Sequence, residues 1–305
     1  MNPDTSRVIT QEFQLAEAAE AACRLFIRRE DLIHPVISGN KYRKLKYNLE
    51  AARLKGCDTL LTYGGAFSNH IAATACAARA NGFSSIGVIR GEELCDKVDQ
   101  NPTLRYAREQ GMRLFFVSRS EFREMRTGDQ GDLRGLFGEF YELPEGGTNE
   151  LAVKGCEEIL ADDDQKYDYV TSAVGTGGTL SGLIRASCDG QMVLGFPALK
   201  ENFLHDDIAL HTTRKNWSLI RDYHFGGYAR ITEELVHFIN RVKITHDILL
   251  DPVYTGKMVY GLADMLKKGY FRKGSEILVI HTGGLQGVEG MNRLLKKKQL
   301  PQILC

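Results

Sequence analysis

The chain has 305 residues, 43% of them hydrophobic and 26% charged, which are ordinary proportions for a globular protein long enough to build two cores. Lys+Arg and Asp+Glu both number 39, and this balance leaves no electrostatic footprint for nucleic acid or a membrane surface. The seven cysteines are odd in number and form no C-x-x-C pair, which argues against a disulfide framework or a zinc site and for a reducing compartment.

The N-terminus, Met1 to Arg7, lacks the apolar core of a signal peptide, and Asp4, Glu12, Glu17 and Glu20 do not suit a transit peptide. No apolar run is long enough to span a bilayer. The expected location is the cytoplasm. From about residue 41, helix and strand patterns alternate. Residues 41–55 read as a helix with Leu45, Leu49 and Ala52 on one face and Gly56 as its stop. A buried strand covers 59–63. Gly64 and Gly65 turn the chain, and Ser68 is placed to cap an alanine-rich helix ending at Asn81. A strand over 85–89, a helix opened by Asn101-Pro102 and closed by Gly111, and a strand over 113–117 complete a β-α-β-α-β pattern, that of an open parallel sheet. Residues 120–147, with Gly128, Gly131, Gly135 and Gly138, read as a loop-rich crossing. Alternation then resumes with a helix over 148–161, strand 169–174, helix 179–187, strand 192–195, helices 231–242 and 257–268, and strand 276–280.

Five short segments could carry chemistry. In Ser38-Gly39-Asn40-Lys41 a lysine stands behind a tight turn at the mouth of a helix. A lysine held there and partly desolvated can form Schiff bases with carbonyl compounds. The plainer reading is a solvated cationic run of Lys41, Arg43, Lys44 and Lys46. Gly175-Thr176-Gly177-Gly178-Thr179 follows an apolar strand and opens a helix, which suits a phosphate cradle. It is neither a Walker A loop nor a dinucleotide fingerprint, because Leu180 stands where the latter needs glycine. Ser68-Asn69-His70 crowds three polar side chains at a helix start. Tyr254 precedes a helix in Asp251-Pro252-Val253-Tyr254-Thr255, and Thr282 follows the last strand, where ligands of open α/β sheets bind. Apart from the glycine-rich loop, where phosphate binding is the favoured reading, each alone is more often structural. Together they offer an aldehyde-trapping lysine, a ring-flanking asparagine, a phosphate loop and a hydroxyl for a pyridine nitrogen, which are the needs of pyridoxal 5'-phosphate.

The chain resembles the 1-aminocyclopropane-1-carboxylate deaminase/D-cysteine desulfhydrase family, pyridoxal-phosphate enzymes of the tryptophan synthase β-like class. The resemblance runs from Arg29-Glu30-Asp31 to Gly284 and rests on the 38–45, 65–70, 175–182 and 251–257 segments. It implies fold type II: two open-sheet α/β lobes with the cofactor cleft between them, a smaller domain over 42–147 and a larger one formed by 1–41 plus 148–305. It further implies that Lys41 is the Schiff-base lysine, that Asn69 bonds the cofactor's phenolic oxygen, and that Thr176, Gly177, Gly178 and Thr179 hold its phosphate. Ser68, with Asn69 and His70, would meet the substrate carboxylate or the migrating proton. Tyr254 and Tyr228 would be the active-site tyrosines, and a homodimer is the expected assembly. The ring-opening deaminases carry glutamate directly after the tyrosine that Tyr254 matches; this chain has Thr255, as the desulfhydrases do. A neutral hydroxyl from Thr255 or Thr282 at the ring nitrogen makes a weaker electron sink than a carboxylate. The expectation is therefore β-elimination from D-cysteine or a related β-substituted amino acid. Ring opening of the cyclopropane amino acid and a non-catalytic phosphate-ligand protein are the alternatives. Residues 191–225 depart from the family pattern and should help shape the substrate pocket.

Overall fold

The structure, a computed structural model, describes residues 3–126, 133–199 and 203–305. Its strands form two sheets. The smaller contains β3 (Thr59–Gly64), β4 (Ser84–Arg90), β5 (Met112–Val117) and β6 (Tyr141–Leu143), in the order β5-β4-β3-β6 and parallel throughout. The larger contains β1 (Thr10–Glu12), β2 (Arg24–Arg28), β7 (Tyr169–Val174), β8 (Met192–Pro197), β9 (Trp217–Leu219) and β10 (Glu276–Ile280). Its order is β1-β2-β10-β7-β8-β9, and only β1 runs antiparallel. The expected pair of open α/β sheets is thus present.

Alternation of side chains across each sheet explains the apolar runs. In β10, Ile277 and Val279 enter one core while Leu278 and Ile280 enter the other. In β3, Leu60 packs on one side while Leu61 and Tyr63 pack on the other. Strands buried on both faces read as continuous hydrophobic segments. The helices between them start and stop where the sequence provides caps. Ser68 Oγ accepts the Ile71 N–H ahead of the Asn69–Asn81 helix, and Asn101 caps the Pro102–Glu109 helix through Leu104 N–H. The Asn40–Leu54 helix packs on the small sheet through Leu45 and Ala52.

Four regions differ from the sequence expectation. Strands β1 and β2 precede the expected start of the alternation. The 120–147 stretch holds β6 and the short helices Arg119–Arg126 and Leu133–Phe137; Gly128 and Gly131 lie outside the described residues. Residues 191–225 contain β9 and the Leu204–Ala209 helix, with 200–202 outside the described residues. A helix over Gly287–Lys297 follows the last strand. Most of these are strands of three residues, short helices or elements with charged ends, where periodicity carries little signal. Among the described residues no helix is long and apolar enough to cross a membrane, and no cluster of three potential metal ligands occurs.

Candidate active site

A cavity of about 710 Å³ opens where the C-terminal ends of β3, β4, β7 and β10 meet the start of the Asn40–Leu54 helix. Its wall includes Lys41, Ser68, Asn69, His70, Tyr228 and Tyr254, together with Thr176, Gly177, Thr179 and Thr282. Segments as far apart in sequence as Ser38 and Gly284, 246 residues, therefore converge on one space.

The Ser38-Gly39-Asn40 turn is fixed from both sides. Gly39 has φ +53 and ψ −130 and donates its N–H to Glu30 O at 2.9 Å. A Cβ on Gly39 would stand 2.1 Å from the carbonyl oxygen of Thr282. Ser38 Oγ accepts the Gly284 N–H at 3.3 Å. Asn40 Nδ2 donates to Thr179 Oγ1 at 2.9 Å, tying the turn to the glycine-rich loop. The helix that follows is anchored by the buried Arg43, which makes a two-pronged ion pair with Glu30 at 2.9 Å on each prong. The turn thereby aims Lys41 into the cavity. Among the described residues its Nζ has only a 3.5 Å contact with Gly146 O. Burial and the neighbouring Lys44 lower the Lys41 amine from 10.5 to about 7.

The plainer reading puts Lys44 on a solvated helix face with Arg43 and Lys46; the structure corrects it for Lys44 and Arg43, while Lys46 stays on the part-exposed face. Lys44 is 2% exposed. Its Nζ donates to Gly146 O and Thr148 Oγ1, each at 3.0 Å, and reaches Thr176 Oγ1 at 3.4 Å. Burial lowers it to about 8. Arg43 is the buried partner of Glu30, and Lys46 is paired with Glu158 at 2.7 Å. The signal for Lys44 was present in its spacing, because residues three apart share a helix face and Lys41 faces the cavity.

The glycine-rich loop forms the floor beneath Lys44. Gly177 has φ +84, and Thr148 Oγ1 and Thr176 Oγ1 lie 2.6 Å apart. Gly178 does not line the cavity; its Cα packs against Thr148, where a side chain would come within 2.7 Å. Gly146 and Gly147 roof the space with φ of +68 and +72, and a Cβ there would meet Thr176 and His70, each at 2.7 Å.

Ser68 uses one lone pair as the helix cap, which leaves its hydroxyl proton available. Gly284 makes room for Asn69, whose Nδ2 would be 2.5 Å from a Cβ there. His70 is 1% exposed, and neither ring nitrogen has a hydrogen-bond partner among the described residues. Burial, with Lys41 and Lys44 adding to it, holds His70 well below the usual histidine range, so the ring is neutral. Tyr254 sits against Gly175, and its ring meets that of Tyr228 edge-on at 6.3 Å. Burial raises both phenols, Tyr254 far above its ordinary value. The loop bearing Tyr228 is held by Lys257, whose buried Nζ donates to His224 O at 2.9 Å and Gly227 O at 2.8 Å.

Thr282 lines the cavity, but Thr255 does not. Thr255 is fully buried, and its hydroxyl accepts the Asp251 N–H at 2.8 Å. Asp251 Oδ1 in return accepts the N–H groups of Tyr254 and Thr255 at 2.7 and 2.8 Å. The expectation that Thr255 faces a cofactor ring is corrected: its side chain serves the turn that presents Tyr254. Sequence reasoning also passed over His281. Its Nε2 lies 2.7 Å from the carbonyl of Leu249 and must be the protonated nitrogen, while Nδ1 accepts the Gly283 N–H at 3.2 Å. That histidine shapes the turn holding Thr282.

These residues fit pyridoxal phosphate on their own chemistry. Two lysine amines share the cavity, and the protein gives Lys44 only neutral acceptors. A buried ammonium without a counter-ion is costly, so a bound anion is the natural complement. The hydroxyls of Thr148 and Thr176 and the start of the Gly178–Ala186 helix surround that position.

The sequence pattern of the family described as "Pyridoxal-phosphate dependent enzyme" matches residues 10–283. A bifunctional D-cysteine desulfhydrase/1-aminocyclopropane-1-carboxylate deaminase of Arabidopsis thaliana is 30% identical over 296 residues, covering 87% of this chain and 73% of its own. A D-cysteine desulfhydrase of Serratia proteamaculans is 29% identical, covering 85% and 86%. The crystal structure of an ACC deaminase homologue superimposes with a TM-score of 0.78 at 30% identity, over 95% of this chain and 93% of that one.

Proposed function

The chain belongs to the pyridoxal-phosphate-dependent enzyme family, with the fold type II architecture, and from that premise we propose that it is a lyase. It removes the β-substituent of D-cysteine or a related β-substituted amino acid, giving pyruvate, ammonia and, from cysteine, sulfide. The non-catalytic alternative is not retained, because the family is one of enzymes. The reading is carried by one observation: the Lys41 amine, lowered to about 7, shares a cavity with Lys44 at the glycine-rich loop.

When bound, pyridoxal phosphate supplies an aldehyde that condenses with amines and a ring that accepts electrons from the α-carbon. Lys41 would hold the aldehyde carbon. Lys44, Thr176, Thr179 and the backbone at Gly177 would hold the phosphate, with Asn69 at the phenolic oxygen and Thr282 at the ring nitrogen. The substrate carboxylate would lie at the Ser68–Asn69–His70 helix start, where the Ser68 hydroxyl can donate and the neutral His70 offers one donor and one acceptor. Lys41 would serve as the base for the α-proton, because an amine lowered to about 7 is free of its proton in about half of the molecules at neutral pH. Tyr254 keeps its proton and serves only as a donor.

Elimination is favoured over ring opening because the cavity wall offers the hydroxyl of Thr282 beside β10, and its acidic members are Glu93 and Glu145. Cytoplasmic location and a homodimer belong to the same reading; seven free thiols support a reducing compartment. A keto-acid assay over D- and L-amino acids tests the function. Pyruvate from D-cysteine is expected, together with a visible cofactor band that Lys41→Ala abolishes. Release of 2-oxobutyrate from 1-aminocyclopropane-1-carboxylate would replace elimination with ring opening, and no keto acid from any substrate would refute both.

A further inference from the structure

One wall of the cavity is basic in a way the cofactor does not explain. It is built by the end of β4 and the segment after β5, and includes Arg90, Arg119, Arg123, Glu93 and Phe122. Arg119 is paired with Glu93 at 3.0 Å, and Glu145 and Arg123 have partners of their own. Arg90 differs from these. It is the last residue of β4 and makes no ion pair among the described residues. Its guanidinium lies 5.4 Å from the ring centroid of the buried Phe122. An arginine resting on an aromatic face keeps its planar donor fork open for a carboxylate or phosphate. One Nη lies 3.3 Å from where a Cβ on Gly65 would stand, so the fork is beside the loop that leads to Ser68 and Asn69. Arg90 is also close enough to Tyr228 to act on its hydroxyl electrostatically.

The anions of the proposed complex can be assigned to cations. The cofactor phosphate belongs with Lys44 and the glycine-rich loop, and the α-carboxylate with the helix start at Ser68. Arg90 then has no anion. We propose that Arg90 is a specificity subsite for a second anionic group on the substrate, so that the preferred substrate is an amino acid whose β-substituent carries a carboxylate, sulfonate or phosphate. This rests on the lyase reading and narrows its substrate class. As the β-substituent departs with the bonding electron pair and the α-proton passes to Lys41, negative charge grows on the departing group, which is where Arg90 stands ready to bind it.

The test is calorimetric titration of the holoenzyme with aspartate and with alanine, each as both enantiomers, for the wild type and for Arg90→Gln and Arg90→Lys. The two ligands differ by one carboxylate. Wild type should bind one enantiomer of aspartate about tenfold or more tighter than the matching alanine, and Arg90→Gln should bring that ratio close to one. Arg90→Lys, which keeps charge without the fork, should fall between. Thermal melts of both variants establish that they fold. Equal affinities in the wild type, or a ratio unchanged in Arg90→Gln, overturn the subsite. Calorimetry reads the ratio whether or not keto acid is released. A normal ratio without turnover therefore refutes the lyase reading alone, and turnover without the ratio refutes the subsite alone.

Discussion

Replacing Gly39 by alanine should damage both folding and cofactor capture, and the size of the effect can be worked from geometry. At φ +53 and ψ −130 Gly39 occupies backbone space that side chains avoid. The added Cβ would lie 2.1 Å from Thr282 O and 2.4 Å from its carbonyl carbon, where anything under 3.0 Å forces a shift. Both neighbours are backbone, so no side chain can swing aside. Strain and overpacking of this kind each cost about 1–3 kcal/mol, giving a loss of about 2–6 kcal/mol. The forced movement, on the order of 1 Å, falls on the turn that aims Lys41, and a misplacement of that size is enough to lower a rate about 100-fold. Gly82→Ala is the matched control: φ is +77 and nothing lies within 4 Å of the new Cβ. It should cost about 1–2 kcal/mol and leave cofactor uptake intact. Urea melts and the cofactor absorbance band measure both. If Gly39→Ala loses no more stability than Gly82→Ala and takes up cofactor normally, the contact with Thr282 does not position the lysine.

Lys44→Met should weaken pyridoxal phosphate binding about 10- to 100-fold and leave binding of pyridoxal, which lacks the phosphate, within about threefold; equal losses for both would place Lys44 elsewhere in function. The pH dependence follows from Lys41, Lys44 and Lys257, lowered to about 7, 8 and 8 by burial. Between pH 7 and about 9 the unfolded chain binds more protons than the folded one, so stability of the cofactor-free protein should rise with pH across that window, before the raised thiols and phenols reverse the trend, and denaturant melts showing a fall there would contradict the burial. Lys257→Met leaves the carbonyls of His224 and Gly227 without their donor, which should cost about 1–3 kcal/mol and lower kcat through Tyr228 while the cofactor band persists. Thr255→Glu would set a second carboxylate beside the buried Asp251, so it should destabilise by about 3–5 kcal/mol without conferring 2-oxobutyrate release; a well-folded variant with ring-opening activity would restore Thr255 to the cofactor.

What could be read in the sequence divides by physical cause. β3, β7 and β10 are buried on both faces, so each is a largely apolar run, broken in β3 and β7 only by small hydroxyl residues, that leads into glycines or a hydroxyl, and the chemistry at their ends was visible with them. β2 was not visible because both ends are arginines: Arg24 pairs with Glu276, and Arg28 makes a two-pronged contact with Asp164, 136 residues away. The same reason hid Lys44 and Arg43. A cation within a charged helix reads as solvated until the partners that enclose it are known, and those partners are Gly146, Thr148, Thr176 and Glu30. His70 was readable as a candidate, but its two open nitrogens are a property of packing alone.

The choice of reaction turns on fewer residues than the sequence suggested. Thr255 and Asp251 exchange hydrogen bonds within one turn, so a threonine there is explained by the need to accept a backbone N–H in a buried place. The electronic question passes to Thr282, and Thr282 is not independent of Lys41. Its carbonyl is the surface against which Gly39 closes, and the turn after it is pinned by Ser38 Oγ to Gly284 N–H and by His281 Nδ1 to Gly283 N–H. One backbone contact therefore sets both the amine proposed to hold the cofactor's aldehyde and the hydroxyl proposed to meet its ring nitrogen. A change that moved one would move the other, so the covalent and electronic ends of the site are constrained as a single unit. Substrate choice can then vary at the β4 wall, where Arg90 stands on Phe122 outside that unit.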